Sequence, residues 1–476
     1  MKKHHTRTKI VATIGPASSS KEMLEKLIQA GMDICRINMS HGTYEQHKKV
    51  IDFIRQLNKK LKTQVGILVD LQGPKLRIGE IANGEIELIE GNSIKITTIE
   101  QLGTIEQLFI TYPEFPKDVK KGDFILIDDG KLKLQVTSSN NKDLVNAIVI
   151  NGGVLSSRKG VNLPNTFISL PCLTPKDLAD LDFALDNNVE WIGLSFVRKP
   201  TDIIELKEII RSKNKKTKVI AKIEKPEAIK NIDEIIAITD GLMVARGDLG
   251  VEIPLEQVPL IQKMLVKKCI KAAKPVIIAT QMMESMITNF SPTRAEVSDV
   301  CNSVIDSADA LMLSGETSTG KYPVEVVMSM KKIILRTEKA MNIYYRKHEP
   351  NIEEPDFLPI SVCYNACKMA EQSDAKALIA MTNSGFTAFQ ISSYRPKAAI
   401  FIFTANHFLL NQLSLVWGVR GLYYDKFEST DDTISDIQKI LKKEGYIEKD
   451  DLVINVASIP ITDKGAANMI KLSTIK

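Results

Sequence analysis

The sequence predicts an α/β protein: a closed (β/α)8, or TIM, barrel with an inserted all-β lid domain and a separate C-terminal α/β domain. Three observations predict it. Short β-branched runs alternate with amphipathic helical stretches from Lys9 to about Met341, as parallel strands joined by helices require. That rhythm fails once, from Gln72 to Pro164, where Gly-punctuated alternation of apolar and polar residues replaces it. A second βα series then follows the acidic, Pro-containing segment 349–359.

The barrel strands are predicted at Lys9–Gly15, Asp33–Ser40, Gln64–Leu71, Glu190–Val197, Val219–Glu224, Gly241–Gly247, Pro275–Gln281 and Ala308–Ser314. Runs such as Glu85-Ile86-Glu87-Leu88-Ile89 and Asp123-Phe124-Ile125-Leu126-Ile127 mark the inserted β domain, which enters at the third βα connection and so lies over the barrel mouth. The C-terminal strands are predicted at Ala377–Met381, Ala399–Phe403, Gly421–Tyr424, Leu452–Val456 and Met469–Leu472. The domains are therefore expected at 1–71 and 165–345 for the barrel, 72–164 for the lid and 346–476 for the C-terminal unit.

Composition excludes several classes. The 63 basic and 58 acidic side chains are well mixed, and the short Lys-rich stretch Lys213–Lys218 reads as a solvated helix end, so no nucleic-acid partner is expected. No apolar segment reaches about 18 residues, and Met1–His5 lead into a β-type run without a signal-peptide core; a soluble, cytoplasmic chain with no membrane partner is expected. The six cysteines lack paired spacing and read as reduced core residues, and the six histidines are too few and too scattered for triad hydrolysis or a histidine-rich metal site.

In a (β/α)8 barrel the chemistry sits at the C-terminal strand ends. Lys222 and Glu224, two residues apart, share one face of the fifth strand. Alone they read first as a strand-end ion pair, and only the other strand ends reverse that reading. Polar residues at five other strand ends join them: Arg36, Asn38 and Ser40; Asp70; Arg246, Gly247 and Asp248; Thr280 and Gln281; Ser314 and Glu316. Glu224 and Asp248 form a two-carboxylate seat of the kind Mg²⁺ uses when substrate and water complete its shell. Lys222 can neutralise oxygens that gain charge, Arg36 offers a planar fork for phosphate, and Gly247 lets backbone approach an anion. Gly315–Tyr322 only imitates a phosphate-binding P-loop: Tyr322 stands where a hydroxyl ligand is needed, and Pro323 starts the next helix.

The chain resembles the pyruvate kinase family over essentially its whole length. The resemblance is carried by Thr8–Pro16, by Arg36-Ile37-Asn38-Met39-Ser40-His41-Gly42, by Val219–Ile229, by Met243–Gly250, by Ala279-Thr280-Gln281-Met282 and by Met312-Leu313-Ser314-Gly315-Glu316-Thr317. It implies phosphoryl transfer from phosphoenolpyruvate to ADP, giving ATP and pyruvate, in a homotetramer with a regulatory C-terminal domain. Lys222 and Arg36 would face the moving phosphoryl group. Glu224 and Asp248 would hold Mg²⁺, with Mn²⁺ as the alternative, and Gly247, Asp248 and Thr280 would receive the substrate carboxylate. Thr280, Ser314 and Glu316 would form the proton-delivery side, and Asn38, His41, Arg77 and Lys159 would lie on the nucleotide.

Lys75 departs from the pattern. Many family members are acidic there and bind K⁺ near Asn38, Ser40 and Asp70; a lysine, with Leu71 and Gln72, matches the potassium-independent branch and implies no K⁺ requirement. Thr382-Asn383-Ser384-Gly385-Phe386-Thr387 matches the effector loop except at Phe386, where a basic residue is common, so a sugar phosphate or nucleotide effector is expected there, with a helix cap as the plain alternative. Two rivals stay open: a Mg²⁺-enolate lyase, which has no need of Arg77, Lys159 and a lid, and a silent scaffold, which has no need of intact Arg36, Lys222, Glu224 and Asp248.

Overall fold

The structure, a computed structural model, describes residues 6–164, 166–346, 348–426, 429–460 and 465–476. The segment Met1–His5 discussed above lies outside the described residues. Three strands, β1 (Lys9–Ile14), β2 (Ile34–Asn38) and β3 (Gly66–Asp70), precede the insertion. The insertion carries β4 (Glu85–Leu88), β5 (Ser93–Thr97), β6 (Gln107–Phe109), β7 (Phe124–Ile127), β8 (Leu132–Ser139), β9 (Leu144–Asn151), β10 (Gly153–Ser156) and β11 (Val161–Asn162). Five more strands, β12 (Trp191–Leu194), β13 (Lys218–Ile223), β14 (Gly241–Ala245), β15 (Val276–Ala279) and β16 (Ala310–Leu313), complete a closed parallel barrel. Its strands run in chain order around the ring, and β16 returns to β1 with Lys9 opposite Ala310.

Every central barrel strand is buried on both faces, which explains its nearly continuous apolar sequence. Val11, Ile34, Leu68, Trp191, Ile220, Met243 and Ile277 fill the barrel itself, and the alternate residues pack under the helices. Several predicted strands overrun. The seventh, expected at Pro275–Gln281, ends at Ala279 because Thr280 and Gln281 take φ of +69° and +54°, outside the β region. The fourth, expected at Glu190–Val197, stops at Leu194, just before Phe196 at φ +55°. The sixth ends at Ala245 because a helix, Arg246–Glu252, starts there.

The lid is mostly rather than wholly β. A six-stranded sheet in the order β11-β7-β8-β9-β5-β6 and the pair β10-β4 enclose their own apolar core, but Phe115–Asp118 forms a helical turn led by Pro116. Its entry is fixed at Gly73, whose N–H donates to Asp177 Oδ1 at 3.0 Å; Asp177 closes the capping box of the helix Pro175–Asp186 with Thr174. At its exit the Arg198 guanidinium holds the carbonyls of Ile168 and Leu170.

The C-terminal sheet, β19 (Val419–Tyr423), β18 (Ala399–Thr404), β17 (Ala377–Met381), β20 (Leu452–Ala457) and β21 (Met469–Thr474) in spatial order, is parallel except for its last strand. It closes the barrel's N-terminal end. Leu415 enters the barrel core, and the Trp191 indole donates to Gln412 O. Asp309, just before β16, accepts from Arg395 Nη2 at 2.8 Å and from the backbone N–H groups of Val276 and Trp417 at 3.1 Å, all buried. No helix among the described residues is long and apolar enough to cross a membrane. Removing one partner of a buried ion pair strands the other charge. Asp309→Ala is therefore expected to lower stability by about 3–5 kcal/mol, read as a lowered Tm, and Arg395→Met in the same chain should recover part of the loss.

Candidate active site

Lys222 occupies the centre of the barrel mouth, on β13. Its ammonium donates to Ser195 Oγ at 2.7 Å and lies 2.9 Å from Glu224 Oε1 and 3.2 Å from Asp70 Oδ1. Burial alone would drive this lysine toward its neutral form, but Asp70 and Glu224 outweigh burial and hold it charged, above the ordinary lysine range. Ser195 is itself aimed by donating to Leu71 O at 2.7 Å. Arg36, on β2, donates through Nε to Asp70 Oδ2 at 2.9 Å and through Nη1 to Thr13 Oγ1 at 2.9 Å. Burial pushes the Asp70 carboxyl up, yet Lys222 and Arg36 together bring it below the usual carboxylate range.

Glu224 follows β13 directly. Its Oε2 accepts from Phe196 N–H at 2.8 Å, which explains the left-handed backbone at Phe196. Burial, with Asp248 as a nearby like charge, raises the Glu224 pKa against the opposing pull of Lys222. Two carboxylates that repel each other at the mouth of a barrel fit a divalent cation. Among the described residues no cluster of three or more acidic, His or Cys side chains could hold a metal alone, so this pair suits an ion whose shell substrate completes.

On the next two strands, Gly247 N–H donates to Thr280 Oγ1 at 2.7 Å, and the Arg246 guanidinium holds Ala279 O, Thr280 O and the Asp299 carboxylate. Those bonds explain how Thr280 keeps its positive φ. Glu316, just beyond the end of the eighth strand, is buried. It accepts from Ser314 N–H at 2.6 Å and Met283 N–H at 3.2 Å, and burial raises its pKa despite those bonds.

The structure thus brings Arg36, Asp70, Lys222, Glu224, Asp248, Gly247 and Thr280 to one end of the barrel. Asn38 accepts from Ser40 N–H at 3.1 Å, and His41 stands exposed beside them. The lid residues are engaged elsewhere: Arg77 Nη1 donates to Arg158 O at 3.0 Å, and Lys159 lies 2.9 Å from Asp128. Lys75 is exposed and lines the cleft between lid and barrel that also contains Asp248. Ser195 and Thr13 were not singled out from the sequence, although each sits at a strand end. In the C-terminal domain, Thr382, Asn383, Ser384 and Thr387 line a cleft with Asp356 and Ser458; Thr382 Oγ1 caps Gly385 N–H at 3.0 Å, and Gly385 takes φ +89°.

Fixed cations over paired carboxylates suit an anionic group bound through a metal, and with an inserted lid this defines a barrel phosphotransferase. The family model for the pyruvate kinase barrel domain matches residues 5–327, and that for the pyruvate kinase alpha/beta domain matches residues 361–473. The chain belongs to the pyruvate kinase family. It is 42% identical over 475 residues to the pyruvate kinase of Sporosarcina psychrophila and 43% identical over 476 residues to that of Geobacillus stearothermophilus, in each case covering 98% of this chain and 80% of the relative. A crystal structure of a pyruvate kinase from Cryptosporidium parvum superposes with a TM-score of 0.94 at 37% identity, covering 99% of this chain and 96% of that one. The reaction is transfer of the phosphoryl group of phosphoenolpyruvate to ADP, giving pyruvate and ATP in glycolysis, and the family works with a divalent metal.

Because the folded state disfavours protonation of Asp70, its stabilisation is complete above the unfolded carboxyl's pKa of about 3.9 and is lost as pH falls through the lower folded value. Asp70→Asn is expected to be less stable at neutral pH and to lose less stability than the parent between pH 5 and 2, which chemical denaturation at each pH would measure.

Proposed function

We propose that Lys222 is the cation that neutralises the phosphoryl group in flight, with Arg36 on the same phosphate. The observation that supports this most directly is the fixed, charged ammonium held by Ser195, Glu224 and Asp70 within 2.7–3.2 Å. Phosphoryl transfer asks for positioning and charge neutralisation more than for covalent chemistry, and a preorganised cation supplies both. Glu224 and Asp248 would hold Mg²⁺, or Mn²⁺ in its place. A metal held by them would supply positive charge for the phosphate oxygens and a further anchor for the substrate. The Gly247 and Asp248 amides with Thr280 would receive the substrate carboxylate. Thr280 and the Ser314–Glu316 turn would form the side from which enolpyruvate is protonated, through water. Asn38, His41, Arg77 and Lys159 would contact ADP. The last two would exchange their contacts with Arg158 and Asp128 for the nucleotide as the lid closes.

Lys75 supports a reading without K⁺. A lysine at the lid entry brings a permanent positive charge to a mouth in which Asn38, Ser40 and Asp70 would otherwise attract a monovalent ion. The cleft at Thr382–Thr387 would take a sugar phosphate or nucleotide effector, and the assembled enzyme would be a cytoplasmic homotetramer.

Lys222→Met is expected to lower kcat for pyruvate formation by about a thousandfold or more while leaving the circular dichroism spectrum of the folded chain unchanged; Tm falls, because Asp70 and Glu224 lose their shared cation. Activity within tenfold of the parent would remove Lys222 from the mechanism. In sodium buffer the parent should turn over equally with and without added K⁺, whereas Lys75→Glu should become K⁺-stimulated; a K⁺-dependent parent would sink the role given to Lys75.

A further inference from the structure

One buried carboxylate outside the proposed machinery touches both the lid and the metal seat. Glu252 is the last residue of the helix Arg246–Glu252, four positions after Asp248 and so on the same helix face. Its Oε1 accepts from Lys225 Nζ at 2.6 Å and from Asn162 Nδ2 at 2.8 Å. The Lys225 and Glu252 side chains are only 7% and 1% exposed. Lys225 immediately follows Glu224, and its ammonium also sits 5.8 Å from the ring centroid of Phe196, whose N–H holds Glu224. Asn162 belongs to the lid: it ends β11, which pairs with β7. The lid turn at Gly130 approaches the same helix, since a Cβ there would lie 3.8 Å from Val251.

We propose that Glu252 is a positioning residue that couples the lid to the divalent-metal seat: through Asn162 it holds the lid's return strand, and through Lys225 and its own helix it holds the segments bearing Glu224 and Asp248. The inference rests on the reading of those two carboxylates as the metal seat. A buried ion pair with a shared acceptor has few alternative arrangements, because moving any one partner strands a charge in low dielectric. Glu252 Oε2 is buried without a hydrogen bond, so both polar bonds of the carboxylate, to Lys225 and to Asn162, run through the one oxygen that they share. A shift of the metal-bearing segments is therefore transmitted to Asn162, and by reciprocity lid position acts on metal affinity.

The test uses the full chain and Mn²⁺ alone as probe, with binding followed by the electron paramagnetic resonance of free Mn²⁺ and lid motion by hydrogen exchange of peptides spanning 155–164. In the parent, saturating Mn²⁺ is expected to slow exchange there by about threefold or more. Asn162→Ala should still bind Mn²⁺, with affinity weakened by about three- to tenfold, and its lid exchange should no longer respond to the metal. Asn162→Asp, which sets a like charge against Glu252, should abolish the response in the same way, so a folding defect confined to one variant does not decide the outcome. Equal metal protection in the parent and both variants overturns the coupling, as does a parent that binds Mn²⁺ with no lid response. Glu224→Gln separates the two readings: unchanged Mn²⁺ affinity there removes the metal seat itself, whereas lost affinity with an unresponsive parent lid removes only Glu252's role.

Discussion

A lysine ammonium buried in a protein interior must be surrounded by acceptors, and at the barrel mouth that requirement ties the strands together. Lys222 on β13 needs Ser195 from the end of β12, Asp70 from the end of β3 and Glu224 from just beyond its own strand. Asp70 in turn needs Arg36 from β2, and Arg36 needs Thr13 from β1. The chain of contacts therefore crosses five neighbouring strands of the ring, β1, β2, β3, β12 and β13. Opposite charges about 4 Å apart attract by roughly 4 kcal/mol at an effective dielectric near 20, while desolvation costs several kcal/mol per ion. Such a network holds only where the geometry is already fixed, and here the closed barrel fixes it. The polar mouth depends on the apolar ring below.

The same network sets what the mouth can bind. Three carboxylates, Asp70, Glu224 and Asp248, stand with two strand-borne cations, Arg36 and Lys222, so these five strand-end groups are short of positive charge by one, with Lys75 a further cation at the lid entry. A divalent ion reverses that sign, and an anionic substrate then restores balance. The raised proton affinity of Glu224 expresses the same deficit: burial and Asp248 favour a proton in the place a metal would take. Asp70 is the opposite case. Held below its usual range by two cations, it stays ionised and serves to orient them. One mouth thus contains a carboxylate held below its usual range by two cations and another raised by burial against the pull of one.

Much of this was legible in the sequence, for reasons of period. Buried parallel strands need unbroken apolar runs, so all eight barrel strands announced themselves, and polar residues ending six such runs at one end of a barrel point together to chemistry. Lys222 and Glu224 were readable because a two-residue spacing keeps side chains on one face. The signal fades where the backbone leaves regular dihedrals. Thr280 and Phe196 take positive φ for the sake of tertiary hydrogen bonds from Arg246 and to Glu224, and no local pattern encodes that. Ser195 was hidden for another reason. A serine at a strand end is common, and its value comes from Lys222, which lies 27 positions away in sequence. Glu252 and Asn162 were hidden likewise: 90 residues separate them, and neither lies in a run whose period points at the other.

The division of labour along the barrel axis follows from which end the rest of the chain covers. At the N-terminal end the C-terminal domain supplies Leu415, Gln412, Trp417 and Arg395, closing the barrel with apolar contact and one buried ion pair. Water is excluded there permanently, and the interactions are those of a core. At the C-terminal end the cover is the lid, tethered at Gly73, at the Arg198 contacts and through Asn162. Its strands enclose an apolar core of their own. A cover that owns its core can move as a unit without exposing the barrel's interior. Each polar tether includes a charged group, so breaking one costs about 1.5–3 kcal/mol, which lies within the reach of ligand binding. Permanent closure below and reversible closure above are what a site requires when it must hold its charges rigidly and still admit two substrates.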